Sequence, residues 1–455
     1  MQVDGGARRS LLERKMCVVM TGLQLHGRLV SGQSNKNVGT WLASRFEDLG
    51  PTYIKIGQFI ASRRDVYGRE FSSAFESMRD SVRPVSPTEA EAMFGESSID
   101  MSAFRSIEYN ALATASIAQV HRAQLADGRR VVIKVIRPHV REEMSEDMEF
   151  LTRVADMLVS AARFVRVSSG QLNTLRQLRT SINDIASYLD EELDLLREAD
   201  NLAAFTTLYP ESHPAVRVPQ LVQHQCRHDA IVMEEVQSQS VALAKSPDVA
   251  KRLVRVFVEQ LVMHGLLHGD PHAGNIGIDT SGRFVLYDFG SVVRITRRDI
   301  QLIKDLIVAL MAGDSRSAAE ALRDLGAEVF DEDALGRYLV LYRRYLRDLD
   351  VAALVAAAER QGREDDTSDL PVMLPGHISR IARSFALLEG VCKSIDPKFN
   401  YVDAFGSSST LLDGTTALLL DSDYLRHRGT RDLAKALDAL SAAERSMVAQ
   451  WVKFD

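Results

Sequence analysis

The sequence has little cysteine, and this scarcity limits both its chemistry and its compartment. Its 455 residues include three cysteines, Cys17, Cys226 and Cys392, which lie far apart and form no Cys-x-x-Cys pair. Disulfide frameworks and cysteine zinc sites need paired or closely spaced cysteines, so both are disfavoured. We therefore expect a reducing compartment, either the cytoplasm or an organelle such as a mitochondrion or plastid.

Long apolar runs and excess basic charge are also missing. No segment approaches the ~18 apolar residues that a membrane-spanning helix needs, so we expect no transmembrane span. The net charge is −7, which gives no general signature of nucleic-acid binding. What is present is a globular composition, with 45% apolar and 26% charged residues, in a chain long enough for two lobes.

Hydrophobic periodicity predicts three successive regions. Residues 1–90 predict a helical extension, residues 91–236 a small strand-containing lobe with inserted helices, and residues 237–455 a mostly helical lobe. Finer patterns predict strands within 105–136, two short strands within 218–236, a linker marked by Pro84 and Pro87, and a loop and strand within 268–290. They predict helices over 11–30, 40–80 with a break at Gly50-Pro51, 141–165, 174–208, 299–325, 334–360, 372–396 and 430–452.

The first predicted helix leaves two interpretations open. Residues 1–90 carry a net charge of +4, and apolar residues recur at helical spacing over 11–30. Such a helix could lie peripherally on an anionic membrane or dock on a partner such as a lipid-biosynthesis protein. Packing on the protein's own core is favoured, because amphipathicity indicates only that one face is buried.

A polar loop in the third region has the pattern of a kinase catalytic loop. In His268-Gly-Asp270-Pro-His-Ala-Gly-Asn275 the Asp-to-Asn interval is the one that kinases use. The Asp accepts or orients the proton of the attacking group, and the Asn turns back to hold a magnesium ion. We therefore predict Asp270 as a catalytic residue and Asn275 as a metal ligand.

A second motif lies thirteen residues further along. Asp288-Phe289-Gly290 directly follows the apolar strand 284–286, and an Asp at a strand end can bind the metal that bridges nucleotide phosphates. Either motif alone is weak, but their order and closeness favour a magnesium site at Asn275 and Asp288. A metal-hydrolase site at His264 and His268 is the rival, disfavoured because Gly265 stands where zinc proteases carry Glu.

Upstream residues supply the rest of a nucleotide site. Lys134 ends a β-branched strand, as a phosphate-binding kinase Lys does, and needs a carboxylate partner from a nearby helix. The helical segment 184–208 offers several acidic residues, which on their own are typical of a solvated face. The segment around Glu234 and Val236 resembles the hinge whose backbone would hold adenine.

The glycine-rich phosphate loop of ordinary kinases is absent. In its place stands an alanine-rich segment in which Ala113, Thr114, Ala115 and Ser116 are the candidate nucleotide contacts. Glycine permits positive φ and close backbone approach, whereas alanine resists both, so we expect a different grip on the nucleotide. A small-residue packing patch is the alternative for the alanines alone.

These motifs together resemble the UbiB (ADCK) family of atypical kinases over residues 41–298. The most specific is the Lys55-Ile-Gly57-Gln58 segment, followed by the alanine-rich loop and Glu192-Leu-Asp194. The resemblance implies an α+β, bilobal kinase-like fold whose N-terminal extension covers the site of a protein substrate. It also implies that Glu198 pairs with Lys134, and that Lys55 reaches toward Glu192 and Asp194 near the nucleotide.

The implied activity is that of an ATP-binding atypical kinase or ATPase that uses Mg²⁺ and supports isoprenoid quinone (ubiquinone) biosynthesis or lipid homeostasis. Departures from the family pattern are Thr114, which leaves ATP or ADP preference open, and Gly269 and Ala273 in the catalytic loop. Two alternatives stay open: a nucleotide-binding scaffold for lipid enzymes with little turnover, and a small-molecule kinase of the aminoglycoside-phosphotransferase type. The Lys55–Gln58 motif disfavours the latter.

Overall fold

The computed structural model describes residues 11–62, 67–75, 78, 84–165, 169–312, 314–329, 335, 372–399 and 401. Its helices are α1 (Leu11–Val30), α2 (Asn35–Leu49), α3 (Pro51–Ser62), α4 (Arg69–Ser72), α5 (Pro87–Glu96), α6 (Val140–Val165), α7 (Ser169–Glu192), α8 (Leu195–Leu208), α9 (Pro247–Glu259), α10 (Arg297–Ala312), α11 (Ser315–Asp324) and α12 (Gly376–Ile395). Its strands are β1 (Phe104–Ile107), β2 (Ala113–Thr114), β3 (Ala118–Leu125), β4 (Arg130–Ile136), β5 (Val216–Arg217), β6 (Ala230–Glu234), β7 (Gln239–Ser240), β8 (Leu266–His268), β9 (Ile276–Ile278), β10 (Phe284–Leu286), β11 (Val292–Arg294), β12 (Glu328–Val329) and β13 (Val372–Met373).

The chain divides into two compact units. The first comprises Met1–Ala204 with Pro219–Glu235, and the second comprises Phe205–Val218 with Val236–Asp455.

The first unit is built on an antiparallel sheet with strand order β1-β3-β4-β6, to which β2 adds by pairing with β3. Alternate residues of β3, β4 and β6 are apolar and pack against α5, forming a core that contains Met93, Phe94, Ile133 and Val232. The predicted strands within 105–136 are therefore confirmed. Pro87 occupies the first turn of α5, whose capping box joins Ser86 and Glu89, so the predicted linker ends in a helix start.

Two predictions for the first unit are wrong. The single helix predicted over 174–208 is two helices, because Asp194 ends α7 and caps α8: its side chain accepts a hydrogen bond from the Leu196 backbone N–H at 3.2 Å. The two strands predicted within 218–236 are one strand, β6, since residues 223–225 form a 3₁₀ turn instead.

The second unit has more strand than the sequence pattern predicts. A four-stranded sheet has the order β5-β10-β9-β7, and β8 pairs with β11. These strands have two or three residues each, too few for a period to register. The helix predicted over 299–325 is also interrupted, because Asp314 caps α11 by accepting from the Ser317 backbone N–H at 3.1 Å.

The remaining helix predictions have mixed outcomes. The helix predicted over 11–30 is α1, the break at Gly50-Pro51 separates α2 from α3, and α12 lies inside the predicted 372–396. The helix predicted over 430–452 lies outside the described residues, as does the helix predicted over 334–360 apart from Leu335. Within the part of the chain that the structure describes, no helix has the length and apolarity needed to span a bilayer.

Candidate functional site

Lys134 and Glu198 form a buried ion pair in the first unit. Lys134 lies on β4 and Glu198 in the first turn of α8, and the Lys134 Nζ lies 2.8 Å and 2.7 Å from the two carboxylate oxygens. Both residues are buried, at 9% and 5% exposure. Helix α8 therefore turns Glu198 inward, toward Lys134, the partner that the family resemblance implies.

The alanine-rich loop is a tight hairpin whose two faces differ. In the register of β2, β3 and β4, Ala113 lies opposite Val120, which lies opposite Lys134, so these three share one face of the sheet. Thr114 lies opposite Gln119 on the other face, and the buried Gln119 amide bonds to the Thr114 hydroxyl at 3.3 Å. Ala113 thus lies on the same face as Lys134, whereas Thr114 lies on the opposite face and stabilises the hairpin through its hydrogen bond with Gln119.

The turn of this hairpin is closed by its own backbone. The Ala115 N–H donates to the Ala118 carbonyl at 2.9 Å, and the Leu112 N–H donates to the Val120 carbonyl at 2.7 Å. Ser116, within this turn, is fully buried. Gln119 was outside the predicted site, and its signal in the sequence is a polar residue at a strand position that alternation assigns to the core.

The Lys-x-Gly-Gln motif lies on α3. Lys55 is 8% exposed, and its Nζ lies 2.9 Å from the Glu192 carboxylate at the end of α7. Gln58 is half-buried on the same helix. The Asp194 carboxylate bonds to the Leu196 N–H and to His228 Nδ1, at 3.2 Å and 2.9 Å.

Gly57 is required by the packing of α3. A Cβ at this position would overlap the Met78 side chain and stand 3.0 Å from the Phe75 ring. A side chain at this position would therefore require the Met78 side chain or α3 itself to shift. The motif glycine is explained by close approach rather than by an unusual φ.

A second buried charge links α3 to α1. The Asp147 carboxylate on α6 lies 2.5 Å from an Arg14 guanidinium nitrogen and accepts a 2.7 Å hydrogen bond from the Thr52 hydroxyl. Next to it, burial and then the Asp147 charge raise the pKa of the Tyr53 phenol far above its usual value. The sequence showed no sign of this network, because its members are distant in the chain.

The predicted hinge residues have defined backbone partners. The Glu234 N–H donates to the Gln220 carbonyl at 2.8 Å, within the first unit. In the second unit, the Val236 carbonyl accepts a 3.0 Å hydrogen bond from the Tyr287 hydroxyl, which also bonds to the Ser238 hydroxyl at 2.9 Å. Tyr287, directly before the Asp288-Phe289-Gly290 motif, is a positioning residue that sequence reasoning missed.

His268 organises the catalytic loop from a fully buried position. Its Nε2 donates to the Tyr287 carbonyl at 2.8 Å, and its Nδ1 accepts from the Asp270 N–H at 3.3 Å. Burial lowers the pKa of His268, which keeps the ring neutral. Because both ring nitrogens are engaged with backbone, His268 is unsuited to bind a metal.

The metal-hydrolase rival also fails at Gly265. This residue has φ +60°, and a Cβ there would stand 2.7 Å from the Ile295 carbonyl oxygen. A glutamate in its place would clash with backbone. A similar constraint explains Gly269, where a Cβ would stand 3.0 Å from the Ser291 carbonyl oxygen.

Asn275 and Asp288 are brought together by neighbouring strands. The Tyr287 N–H donates to the Asn275 carbonyl at 2.9 Å, and the Asn275 side-chain amide donates to the Asp270 carbonyl at 3.1 Å. Asp288 has φ +55°, a left-handed conformation that Asp tolerates, and its carboxylate accepts from the Gly290 N–H at 3.2 Å. This places the three residues of the two motifs along one continuous stretch of hydrogen-bonded backbone.

The donor chemistry of these residues fits Mg²⁺. Asn275 and Asp288 supply an amide oxygen and a carboxylate, the hard oxygen ligands that Mg²⁺ prefers. Among the described residues, no group of three His, Cys, Asp or Glu side chains could hold a metal by itself. Mg²⁺ commonly completes such a sparse ligand set with substrate phosphates and water.

Comparison with known proteins gives the family. Residues 77–322, more than half of the chain, match the model described as the ABC1 atypical kinase-like domain. The chain belongs to the ABC1 (UbiB) family. An uncharacterized protein of Mycobacterium tuberculosis is 34% identical over 315 residues, covering 66% of this chain and 63% of the relative. The "Probable protein kinase UbiB" of Pseudomonas putida is 31% identical over 303 residues, covering 63% and 54%.

The chain spans somewhat more than half the length of these relatives. Among solved structures, it is similar to the erythromycin complex of Rv3197 from Mycobacterium tuberculosis, with a TM-score of 0.49, 19% identity, and coverage of 69% of this chain and 80% of that one. ABC1 membership confirms the predicted fold class: an α+β, kinase-like domain preceded by the helices α1–α4. A kinase-like fold implies nucleotide binding.

Proposed function

We propose that this ABC1 protein is a Mg²⁺- and ATP-dependent phosphotransferase or ATPase. The observation that carries the proposal is the buried Lys134–Glu198 pair. Burying two charges costs desolvation energy, and well-packed apolar pairs of similar volume are often as stable as buried ion pairs or more so. Retaining the ion pair is therefore better explained by function, and a kinase uses such a Lys to bind phosphates.

Each predicted site residue has a role in this proposal. Lys134, oriented by Glu198, binds the nucleotide phosphates, with Ala113, Thr114, Ala115 and Ser116 shaping the loop beside them and the backbone of Glu234 and Val236 binding adenine. Asn275 and Asp288 hold Mg²⁺, which would supply positive charge to the transferring phosphoryl group. Asp270 orients the attacking hydroxyl and accepts its proton.

The N-terminal helices act as a restraint on substrate choice. Two contacts fix α3: Lys55 pairs with Glu192, and Thr52 donates a hydrogen bond to the buried Asp147 carboxylate. We infer that this arrangement, with Gln58 and Asp194 as family-motif residues, excludes protein substrates. The acceptor is then a small molecule or water.

Support for quinone biosynthesis or lipid homeostasis comes from the family resemblance. Peripheral contact with a membrane or with lipid enzymes has support in α1, whose exposed side chains include Leu12, Met16, Val19, Met20 and Leu23. Its basic residues face inward: Arg14 contacts Asp147, Lys15 lies over Phe150, and Arg28 lies over Trp41. Apolar burial, rather than charge, would then drive membrane contact.

Turnover of ATP by the purified full-length chain tests the enzyme proposal. We expect Mg²⁺-dependent release of ADP that increases with liposomes, and loss of that release in Asp270→Asn. Nucleotide binding without turnover in any of these conditions would favour the scaffold function instead.

Deleting the gene and measuring cellular quinone tests the pathway, and unchanged quinone content would contradict the quinone role.

A further inference from the structure

Helix α12 brings a cationic side chain to the catalytic loop from outside the family match. The match ends at residue 322, whereas α12 spans Gly376–Ile395. The fully buried Ser384 hydroxyl donates to the His268 carbonyl at 2.8 Å, which fixes α12 to the loop. The preceding residue, Arg383, places a guanidinium nitrogen 3.6 Å from the Asp270 carboxylate.

The Arg383–Asp270 contact is poorly suited to a stabilising role. The two side chains are 40% and 32% exposed, and their 3.6 Å separation is longer than a charge-assisted hydrogen bond. Partly exposed ion pairs of this kind are screened and contribute little to stability. Anchoring of α12 is already provided by Ser384, so the position of Arg383 calls for another explanation.

Among the described residues, His272 is a second neighbour of the Asp270 carboxylate. Its Nδ1 accepts from the Gly274 N–H at 3.0 Å, so the ring proton lies on Nε2, which is 3.9 Å from Asp270. Asp270 is thus flanked by two donor groups, of which only Arg383 carries a permanent charge. The guanidinium fork has five N–H donors and matches carboxylate and phosphate groups geometrically.

We propose that Arg383 binds an anionic group, a carboxylate or a phosphate, of the phosphoryl acceptor and thereby positions the acceptor hydroxyl beside Asp270. This inference rests on the proposed function and names the substrate class of the same site. When the acceptor anion takes the guanidinium, an Asp270 oxygen is released to accept the hydrogen bond of the hydroxyl.

In the transfer step, the acceptor oxygen forms a bond to the γ-phosphorus of ATP, and the bond from that phosphorus to the bridging oxygen breaks. ADP leaves with the electron pair, and the acceptor proton passes to Asp270. Arg383 takes no part in bond making; it orients the acceptor by its anion.

Binding of glycerol 3-phosphate tests this role, because the probe carries one phosphate next to hydroxyl groups. The full-length chain is saturated with Mg²⁺ and the β,γ-imido analogue of ATP, so that the γ position is filled, and the probe is titrated by calorimetry. We expect Arg383→Met to weaken probe binding by roughly tenfold or more, since a charge-assisted contact is lost. Arg380→Met, an exposed arginine on the same helix, should leave it unchanged.

Each other outcome overturns the inference in an identifiable way. Equal probe affinity in wild type and Arg383→Met, or no probe binding in wild type, removes the acceptor role. Weakened binding of the ATP analogue with unchanged probe affinity would assign Arg383 to the nucleotide instead. Failure of wild type to bind the analogue at all would contradict the proposed function rather than this inference alone.

Discussion

The two groups of candidate site residues are held in different ways. In the first unit, Lys134 and Glu198 hold each other through side chains that are 64 positions apart in sequence and buried from water. In the second unit, Asp270, Asn275 and Asp288 are positioned by backbone hydrogen bonds within and between neighbouring strands and loops. The first group should therefore be sensitive to loss of charge, and the second to changes in backbone conformation.

The largest effect should come from breaking the buried pair. Lys134→Met leaves the Glu198 carboxylate buried without its cation, which should cost about 3–5 kcal/mol of unfolding free energy. The double variant Lys134→Met/Glu198→Leu should recover most of that loss while ATP turnover stays absent. Denaturant unfolding and turnover measured on the same preparations check both parts. A single variant as stable as wild type would show that the pair is not effectively desolvated.

A smaller effect is expected at Asp288. Asp288→Asn keeps a residue that tolerates φ +55°, but removes a charged oxygen ligand. Mg-ATP affinity should fall roughly 10- to 100-fold, because even indirect partners of a bound metal are worth that much. Stability should change little, whereas Asp288→Ala should also destabilise through backbone strain. Calorimetric titration with and without Mg²⁺ measures this, and equal losses without Mg²⁺ would refute the ligand assignment.

The motif helix gives the next test. Lys55→Ala removes the contact with Glu192. The free energy of local opening of α3 should therefore fall by about 1.5 kcal/mol. Hydrogen exchange over residues 51–62 should then be faster by roughly tenfold. Lys36→Ala, an exposed lysine on α2, is the matched control. Unchanged exchange together with wild-type turnover would leave the restraint without support.

The smallest effect separates the two faces of the alanine-rich hairpin. Thr114→Val removes the hydroxyl that bonds to Gln119 and should lower stability by about 1 kcal/mol, with Thr114→Ser restoring it. Ala113→Gly, on the face of Lys134, should instead alter ATP or ADP affinity, because glycine permits closer backbone approach. The reverse pattern, with Thr114→Val changing affinity alone, would mean that the faces are assigned wrongly.

Local motifs and long periodic helices could be predicted from the sequence. The Lys134–Glu198 and Lys55–Glu192 contacts could be expected only from the family resemblance, and the other contacts between distant segments could not be predicted. The catalytic loop and the Asp288 motif are short, contiguous patterns. In contrast, the strands of the second unit are too short to show a period and exist only through pairing. The face on which Thr114 lies depends on strand register, and the approach of Arg383 to Asp270 depends on the packing of α12. Neither can be read from composition or spacing.

The breaks within the helices predicted over 174–208 and 299–325 have a local cause. Asp194 and Asp314 each use a side-chain oxygen to cap the next helix, although the apolar periodicity continues across them. A capping residue within a periodic segment can therefore divide one predicted helix into two.

One titration tests the central claim most directly: ATP binding by the full-length chain, with and without Mg²⁺, for wild type and for Lys134→Met/Glu198→Leu. The double variant should remain folded, which separates binding from stability. We predict Mg²⁺-dependent ATP binding in wild type and its loss in the folded double variant. Equal ATP affinity in the two proteins, or affinity independent of Mg²⁺ in wild type, would contradict the account.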